Sequence, residues 1–303
     1  MKRGFKSLVS AFIVLSMLLT LICVPSFTAF AADPIIITTK AGLAQAVADP
    51  TGTYELGADI IFTAADFASG GAYYNGGSGF PVIGSSDAQP FTGSLDGKGY
   101  VISGLKINTP TALYTGLVGK NQGIVQNIAL IDADITGGVH TGGIAAYQTA
   151  EASLSACYTS GGVIRTTASN AQDIGGIVGY IAASASISDC YNAAEVASTT
   201  INPAGIAGYN GYRINRCYNA AALSAPKGFG IYAAGNGLPV NSYGINTTRC
   251  FIRTDSGLSN STYTKTDSQL RQQSTFTGFD FTTVWQIGSN PDYPYPELRT
   301  APH

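Results

Sequence analysis

The chain is poor in charged residues and in histidine, and both shortages narrow what it can do. Only 11% of its 303 residues are Asp, Glu, Lys or Arg. No basic stripe is present, so we expect no nucleic-acid partner. Histidine occurs only at His140 and His303, and no His-Glu-x-x-His phrase exists. We therefore expect no metal and no cofactor. His140 is the one base available to a nucleophilic triad, and its Gly-rich surroundings predict a loop role instead.

The first 31 residues have the pattern of an export signal. Lys2, Arg3 and Lys6 precede an apolar stretch over 8–24, and residues 29–31 supply a small-x-small cleavage site. An uncleaved membrane-spanning segment is the alternative, because the stretch is almost long enough to cross a bilayer. Cleavage would remove three of the 16 basic residues and leave 13 against 18 acidic ones. We expect a secreted or cell-surface protein whose mature chain has no membrane span.

A glycine phrase returns five times after residue 115. Successive copies begin 27, 33, 29 and 25 residues apart. Intervals of this size are typical of solenoids, whose units are too short to fold alone. The copies are Gly116-Leu117-Val118-Gly119, Gly143-Ile144-Ala145-Ala146, Gly176-Ile177-Val178-Gly179, Gly205-Ile206-Ala207-Gly208 and Gly230-Ile231-Tyr232-Ala233.

A second phrase follows each of the first four copies and ends at Ile128, Cys157, Cys190 or Cys217. A column that accepts both isoleucine and cysteine is apolar and buried. Four cysteines remain after residue 31, an even number that in an exported protein can indicate disulfides. Side chains stacked on parallel strands, however, have Cβ vectors that do not converge. We predict free, stacked thiols in this column, and the state of Cys250, outside it, stays open.

Short β-prone runs separated by Gly, Asn and Ser turns complete each unit, which gives three strands per unit. This pattern predicts an all-β fold, a parallel β-helix of triangular cross-section with a ladder of large apolar residues inside. We expect short capping helices at both ends, one over 39–47 and one over 268–272. The predicted regions are a signal peptide over 1–31, an N-terminal cap with the first rungs over 32–115, repeats over 116–250 and a C-terminal cap over 251–303. The predicted ladder contains Leu117, Ile144, Ile177, Ile206 and Ile231.

These phrases resemble the GLUG-repeat family of bacterial exported proteins. The likeness includes the lead-in over 91–105 and the aromatic endings over 281–285 and 293–298. The resemblance implies a right-handed β-helix and an adhesin-like or non-catalytic role, and it brings no catalytic residues. Two copies depart from the pattern, with Ala146 and Ala233 in place of the second glycine, and the fifth unit drops a residue.

Parallel β-helices also include polysaccharide lyases and glycoside hydrolases, which is the alternative function. Hydrolysis needs a pair of carboxylates at a set separation. Asp132 and Asp134 are the best candidates, since residues i and i+2 of a strand share a face. A solvated strand face is the explanation we favour, because no basic or aromatic partner is near in sequence. Asp189, which occupies a position held by asparagine in other units, is expected in a turn.

Two series of tyrosines repeat with the units. The first ladder, Tyr147, Tyr180 and Tyr209, follows the glycine phrase; the second ladder, Tyr158, Tyr191 and Tyr218, follows the cysteine column. An outward-facing ladder would suit sugar rings or a protein partner, whereas tyrosines packed beneath loops would be structural. Because neighbouring strand residues point in opposite directions, buried cysteines favour an outward second ladder. We therefore predict a non-enzymatic β-solenoid that serves as an adhesin-like binding or spacer module for extracellular glycan or a surface protein.

Overall fold

The repeated phrases form short strands, and each strand pairs with its equivalent one unit along the chain. The structure is a computed structural model that describes residues 33–221, 223, 228–245 and 260–301. The predicted signal peptide and Cys250 lie outside the described residues. The described strands are β1 (Ile35–Ile37), β2 (Thr53–Leu56), β3 (Ile60–Ile61), β4 (Ser94–Asp96), β5 (Val101–Ser103), β6 (Lys106–Asn108), β7 (Tyr114–Thr115), β8 (Val118–Asn121), β9 (Ile124–Gln126), β10 (Ala129–Ile131), β11 (Asp134–Gly137), β12 (His140–Gly142), β13 (Ala145–Gln148), β14 (Ser153–Ser155), β15 (Tyr158–Thr166), β16 (Asp173–Gly175), β17 (Val178–Ile181), β18 (Ser186–Ser188), β19 (Tyr191–Ser198), β20 (Ala207–Asn210), β21 (Arg213–Asn215), β22 (Tyr218–Asn219), β23 (Tyr232–Ala234), β24 (Leu238–Val240), β25 (Tyr243–Ile245), β26 (Thr264–Lys265), β27 (Trp285–Gln286) and β28 (Glu297–Leu298). The described helices are α1 (Lys40–Ala48), α2 (Ala64–Phe67), α3 (Asn260–Tyr263) and α4 (Asp267–Leu270), with 3-10 turns at Asn75–Gly77 and Gln273–Thr275.

Four parallel sheets surround one apolar interior, which confirms the predicted β-helix. Sheet A has the order β1-β2-β4-β9-β14-β18-β21-β24, and sheet C has the order β23-β20-β17-β13-β8. Sheet B runs β26-β25-β22-β19-β15-β10-β5-β3 with β6 and β11 beside it, and sheet D runs β16-β12-β7. Strands β27 and β28 form a separate antiparallel pair.

The interior is built from ladders of equivalent side chains. The five predicted residues, from Leu117 to Ile231, are all fully buried. Sheet A adds an inward column in which register pairs each residue with the next. Burial of one such side chain contributes about 1.5–3 kcal/mol, so every rung adds to the core. The sheet A column is Leu95, Val125, Leu154, Ile187 and Ile214.

The cysteine column is also confirmed. Cys157, Cys190 and Cys217 are buried and free, and each thiol donates to the carbonyl two residues earlier, at 3.1–3.2 Å. The thiols stack down the interior in the same register as the strands on either side. Burial, and then the neighbouring thiol of the column, raises the pKa of Cys190 and of Cys217 well above the usual value.

The N-terminal end is closed as predicted. Thr39 caps helix α1 by accepting a hydrogen bond from the Gly42 amide at 3.0 Å. Leu43 and Ala46 on the inner face of α1 are fully buried against the first rungs. The helix therefore covers apolar surface that an open first rung would expose.

The C-terminal segment, residues 260–301, extends beyond the position of an end cap, and we call it the clamp. Strand β26 continues sheet B beyond β25, and the rest of the clamp packs along the outside of that sheet. Its buried side chains form one cluster with the second tyrosine ladder. The clamp members of this cluster are Leu270, Phe276, Phe279, Trp285, Tyr293, Leu298 and Ala301.

Candidate functional site

The first tyrosine ladder lies on the outer face of sheet C. Strands β13, β17 and β20 place Tyr147, Tyr180 and Tyr209 in one register. Ring centroids are 4.6 and 4.5 Å apart, with interplanar angles of 10° and 6°. All three side chains are half-buried. Stacking of this kind contributes about 0.5–1.5 kcal/mol per pair, so the ladder is a rigid, partly exposed row of rings.

The second glycine of the phrase brings sheet D against this ladder. A Cβ atom at Gly208 would lie 2.4 Å from the Ile174 amide nitrogen and 2.7 Å from the Asp173 Cβ. Such contacts are closer than real Cβ atoms tolerate, so any larger residue would push β20 away from β16. The glycine therefore sets how closely the polar side chains of sheet D approach the tyrosines.

A histidine–aspartate pair sits beside the ladder. His140 Nδ1 lies 2.8 Å from Asp173 Oδ2, because β12 and β16 pair His140 with Asp173. The imidazole meets the Tyr147 and Tyr180 rings edge to face, at centroid distances of 5.6 and 5.5 Å, and it stacks on Tyr114 at 5.9 Å. These contacts place the His140–Asp173 pair along one side of the first ladder.

The loop role expected for His140 is wrong. This residue lies within β12 and is only 8% exposed. The repeat itself carried the missed signal: His140 and Asp173 each precede a glycine phrase by three residues, which places them on adjacent rungs.

An ion pair closes the N-terminal end of the ladder. Lys120 occupies the tyrosine position one rung before Tyr147, as the pairing of β8 with β13 shows. Its Nζ lies 5.8 Å from the Tyr147 ring centroid and 2.6 Å from Asp87 Oδ1. The Tyr114 hydroxyl donates to the same carboxylate at 3.0 Å. These bonds, chiefly the one from Lys120, lower the pKa of Asp87, while burial, followed by Asp87, raises the pKa of Tyr114.

The second ladder does not form an exposed face, and that expectation is wrong. Tyr158, Tyr191 and Tyr218 do point away from the cysteines, and their rings stack at 4.6 and 5.2 Å. However, all three side chains are 0% exposed because the clamp covers them. The Tyr218 hydroxyl, for example, contacts the Tyr293 hydroxyl at 2.9 Å. A ligand cannot reach this ladder while the clamp is in place.

The carboxylates considered for hydrolysis do not form a pair on one strand face. Asp132 has φ of 53° and lies in the turn between β10 and β11, so the i, i+2 alternation is broken. Asp134 is bonded to Arg165 on one neighbouring rung and lies 3.8 Å from Lys106 on the other. The basic partners absent from the local sequence thus come from adjacent rungs. The Asp134 carboxylate is therefore part of a surface ion-pair network.

Asp189 occupies a turn, as predicted, with φ of 56°. Its carboxylate accepts two hydrogen bonds from Arg216, at 2.7 and 2.5 Å, and one from Trp285 Nε1 at 3.3 Å. This side chain therefore joins the solenoid to the clamp. Among the described residues, no group of three His, Cys, Asp or Glu side chains is placed to hold a metal ion.

Comparison with known proteins supports the fold and identifies no family. No protein-family profile matches the chain. A region of halomucin from Haloquadratum walsbyi is 35% identical over 130 residues, which is 39% of this chain and 1% of that protein. The crystal structure of a "putative immunoglobulin A1 protease" from Bacteroides ovatus superposes with a TM-score of 0.61 at 18% identity, covering 88% of this chain and 93% of the other. At that identity the likeness is one of fold. In the described residues, no helix has the length and apolar character needed to cross a membrane.

Proposed function

We propose that the protein is an exported, non-enzymatic β-solenoid module that binds extracellular glycan through the first ladder, Tyr147, Tyr180 and Tyr209. We also propose that it belongs with the GLUG-repeat proteins whose phrases it resembles. The observation that carries the binding proposal is the half-exposed stack of three tyrosines beside the Lys120–Asp87 ion pair and the hydrogen-bonded pair of His140 and Asp173. The module would act in the medium or at the cell surface, as the export signal predicts.

The ladder has the chemistry that sugar recognition requires. Tyrosine combines an apolar ring with a hydroxyl that can donate and accept hydrogen bonds. The rings are already stacked, so binding would not require freezing flexible side chains, which usually costs about 0.5–1.5 kcal/mol for each side chain ordered. Lys120 and Asp87 at one end add charged partners for sugar hydroxyls.

The test is a glycan screen with the full chain and two variants of the central tyrosine. Tyr180→Phe keeps the stacked ring and removes the hydroxyl, so we expect binding to fall by about two- to tenfold, the usual value of one neutral hydrogen bond. Tyr180→Ala also opens a gap in the stack and should weaken binding further. Tyr74→Ala, at an exposed tyrosine away from the ladder, is the matched control and should bind like the parent.

Two results would contradict the proposal. Glycan binding that survives Tyr180→Ala unchanged would place the binding site elsewhere. Release of reducing or unsaturated sugars from a bound polysaccharide by the purified chain would show that the module is an enzyme.

A further inference from the structure

The stacking of the first ladder limits which ring faces a ligand can reach. Both faces of Tyr180 are covered, one by Tyr147 at 4.6 Å and the other by Tyr209 at 4.5 Å. A continuous stack therefore exposes ring edges and hydroxyl groups along its length. Whole ring faces are available only where the stack ends.

One end of the stack is closed. The outer face of Tyr147 meets Lys120, whose Nζ lies 5.8 Å from the ring centroid. Asp87 holds this ammonium group at 2.6 Å, and Lys120 is only 18% exposed. A sugar ring could reach that face only by displacing a paired charge.

At the other end of the stack, no described aromatic or cationic side chain covers the last ring. The pairing of β20 with β23 places Ala234 opposite Tyr209, in the position that tyrosine fills on the three preceding rungs. A methyl group cannot cover an aromatic ring, and Ala234 is itself half-buried. Among the described residues, the Tyr209 ring contacts no ring other than Tyr180 and no cationic group.

The register places one polar residue, Asn202, on the sheet D side of this end. Gly175 pairs with Ala204, so Asn202 continues the column of His140 and Asp173 one rung further. Asn202 is exposed, and its amide can both donate and accept hydrogen bonds. The open face is therefore an apolar platform with a neutral polar edge, whereas the closed end carries charge.

We propose that the Tyr209 face above Ala234 is a stacking subsite for one hexopyranose ring that presents C–H groups on one face. The face of an aromatic ring is negative and attracts such weakly positive hydrogens, and the ring area matches a single sugar. This subsite rests on the proposed glycan-binding function and assigns the ring-stacking contact to one residue. The remaining sugars of a longer glycan would then lie along the hydroxyl edge of the ladder.

The test closes the platform by lengthening the stack. Ala234→Tyr adds a fourth ring against Tyr209, and Ala234→Ser is the matched control that leaves the platform open. Methyl β-galactopyranoside and methyl β-glucopyranoside are the probes, and saturation-transfer NMR on the full chain is the measurement. We expect Ala234→Tyr to weaken binding of the responding probe by about tenfold or more, as loss of a central aromatic contact does, and Ala234→Ser to stay within about twofold.

A second variant keeps the test informative if the Ala234→Tyr protein does not fold. Tyr209→Leu keeps apolar bulk, removes the ring, and should cause a similar loss while the circular dichroism spectrum is unchanged. Parent-like binding by a folded Ala234→Tyr protein would overturn the subsite. If Tyr180→Phe still weakened binding in that case, the ladder edge would remain the site and the proposed function would stand. If neither probe nor any arrayed glycan bound the parent chain, the proposed function would fail and the subsite with it.

Discussion

At the scale of the residue, the backbone at one recurring corner of the rungs favours particular residue types. The residue between the sheet A strand and the cysteine column has a left-handed backbone, with φ between 48° and 56° on five rungs. Among residues other than glycine, Asn and Asp adopt this conformation most readily, and they occupy three of the five corners. At the other two, Ala156 and Arg216 accept a strain of about 1 kcal/mol each. The corner residues are Asn127, Ala156, Asp189, Arg216 and Asn241.

The stacked thiols lead to a prediction about reactivity. Only the thiolate reacts with thiol reagents, and burial holds the pKa of Cys190 and Cys217 well above the usual value. We expect neither thiol to react with a disulfide reagent in the folded protein at neutral pH. Both should react once denaturant has unfolded the chain, and mass spectrometry of the labelled peptides is the measurement.

A Cys190→Val variant provides the control for this prediction. It keeps an apolar side chain in the column and should preserve the fold, because the position is buried among apolar groups. Rapid labelling of Cys217 in the native parent would mean that the interior is open to solvent, contrary to the packed ladder described above.

At the scale of the element, the clamp adds a second apolar cluster to the side of the solenoid. Its central residue is Trp285, the only tryptophan in the chain. The indole is fully buried, lies 4.9 Å from the Phe279 ring, and packs against Tyr191 and Tyr218 at about 6 Å. Its Nε1 donates to Asp189 at 3.3 Å. Tryptophan fluorescence therefore reports directly on whether the clamp is packed against the second ladder.

Trp285→Ala is expected to destabilise the clamp by about 3–5 kcal/mol, the usual cost of truncating a large buried aromatic residue. The lost interactions belong to the outer cluster, so the parallel strands should persist and the circular dichroism spectrum should change little. Urea unfolding of the parent and variant would measure the difference in the free energy of unfolding. Phe281→Ala, at a partly buried clamp residue, should cost less. Equal midpoints for the parent and Trp285→Ala would show that the clamp adds no stability.

Elements built from the repeat could be predicted, whereas those held by distant contacts could not. The ladder from Leu117 to Ile231 and the cysteine column follow from spacing alone, since equivalent residues of a solenoid must stack. The burial of the second ladder depends on contacts such as Asp189 to Trp285, which are 96 residues apart. No local pattern encodes that contact. The same holds for Asp134, whose basic partners lie on neighbouring rungs.

At the scale of the whole molecule, the two ends of sheet A differ. At the last described strand, the Leu238 amide donates to the Tyr212 carbonyl and the Val240 carbonyl accepts from the Arg216 amide. The backbone of Pro239 between them therefore faces away from β21. Proline has no N–H to donate to a further strand. This edge is therefore less able to pair with a strand of another molecule. At the first strand, Ile36 is 55% exposed, and no proline lies within β1.

The buried tyrosines between the solenoid and the clamp predict how the whole molecule responds to high pH. Burial, and then the Tyr293 phenol, raises the pKa of Tyr191 and of Tyr218 well above the usual value, and burial likewise raises the pKa of Tyr293. In the unfolded chain these phenols lose their protons near pH 10. Above that pH the folded state binds more protons than the unfolded state, so the free energy of unfolding falls as the pH rises.

We therefore expect these phenols to leave stability unchanged from neutral pH up to about pH 10 and to lower it above that pH, with the buried phenols ionising in the same step that unfolds the clamp. In an alkaline titration the exposed tyrosines ionise first, near pH 10. The later step in tyrosinate absorbance, from the buried phenols, should share one midpoint with the change in Trp285 fluorescence. The Tyr191 hydroxyl is buried without a hydrogen-bond partner among the described residues, so Tyr191→Phe should leave neutral stability unchanged or raise it. It should also move the alkaline midpoint to higher pH. Ionisation of each buried phenol favours the unfolded state, and the variant has one fewer of these groups. A tyrosinate change from these phenols that precedes the fluorescence change would mean that the clamp does not shield them from solvent.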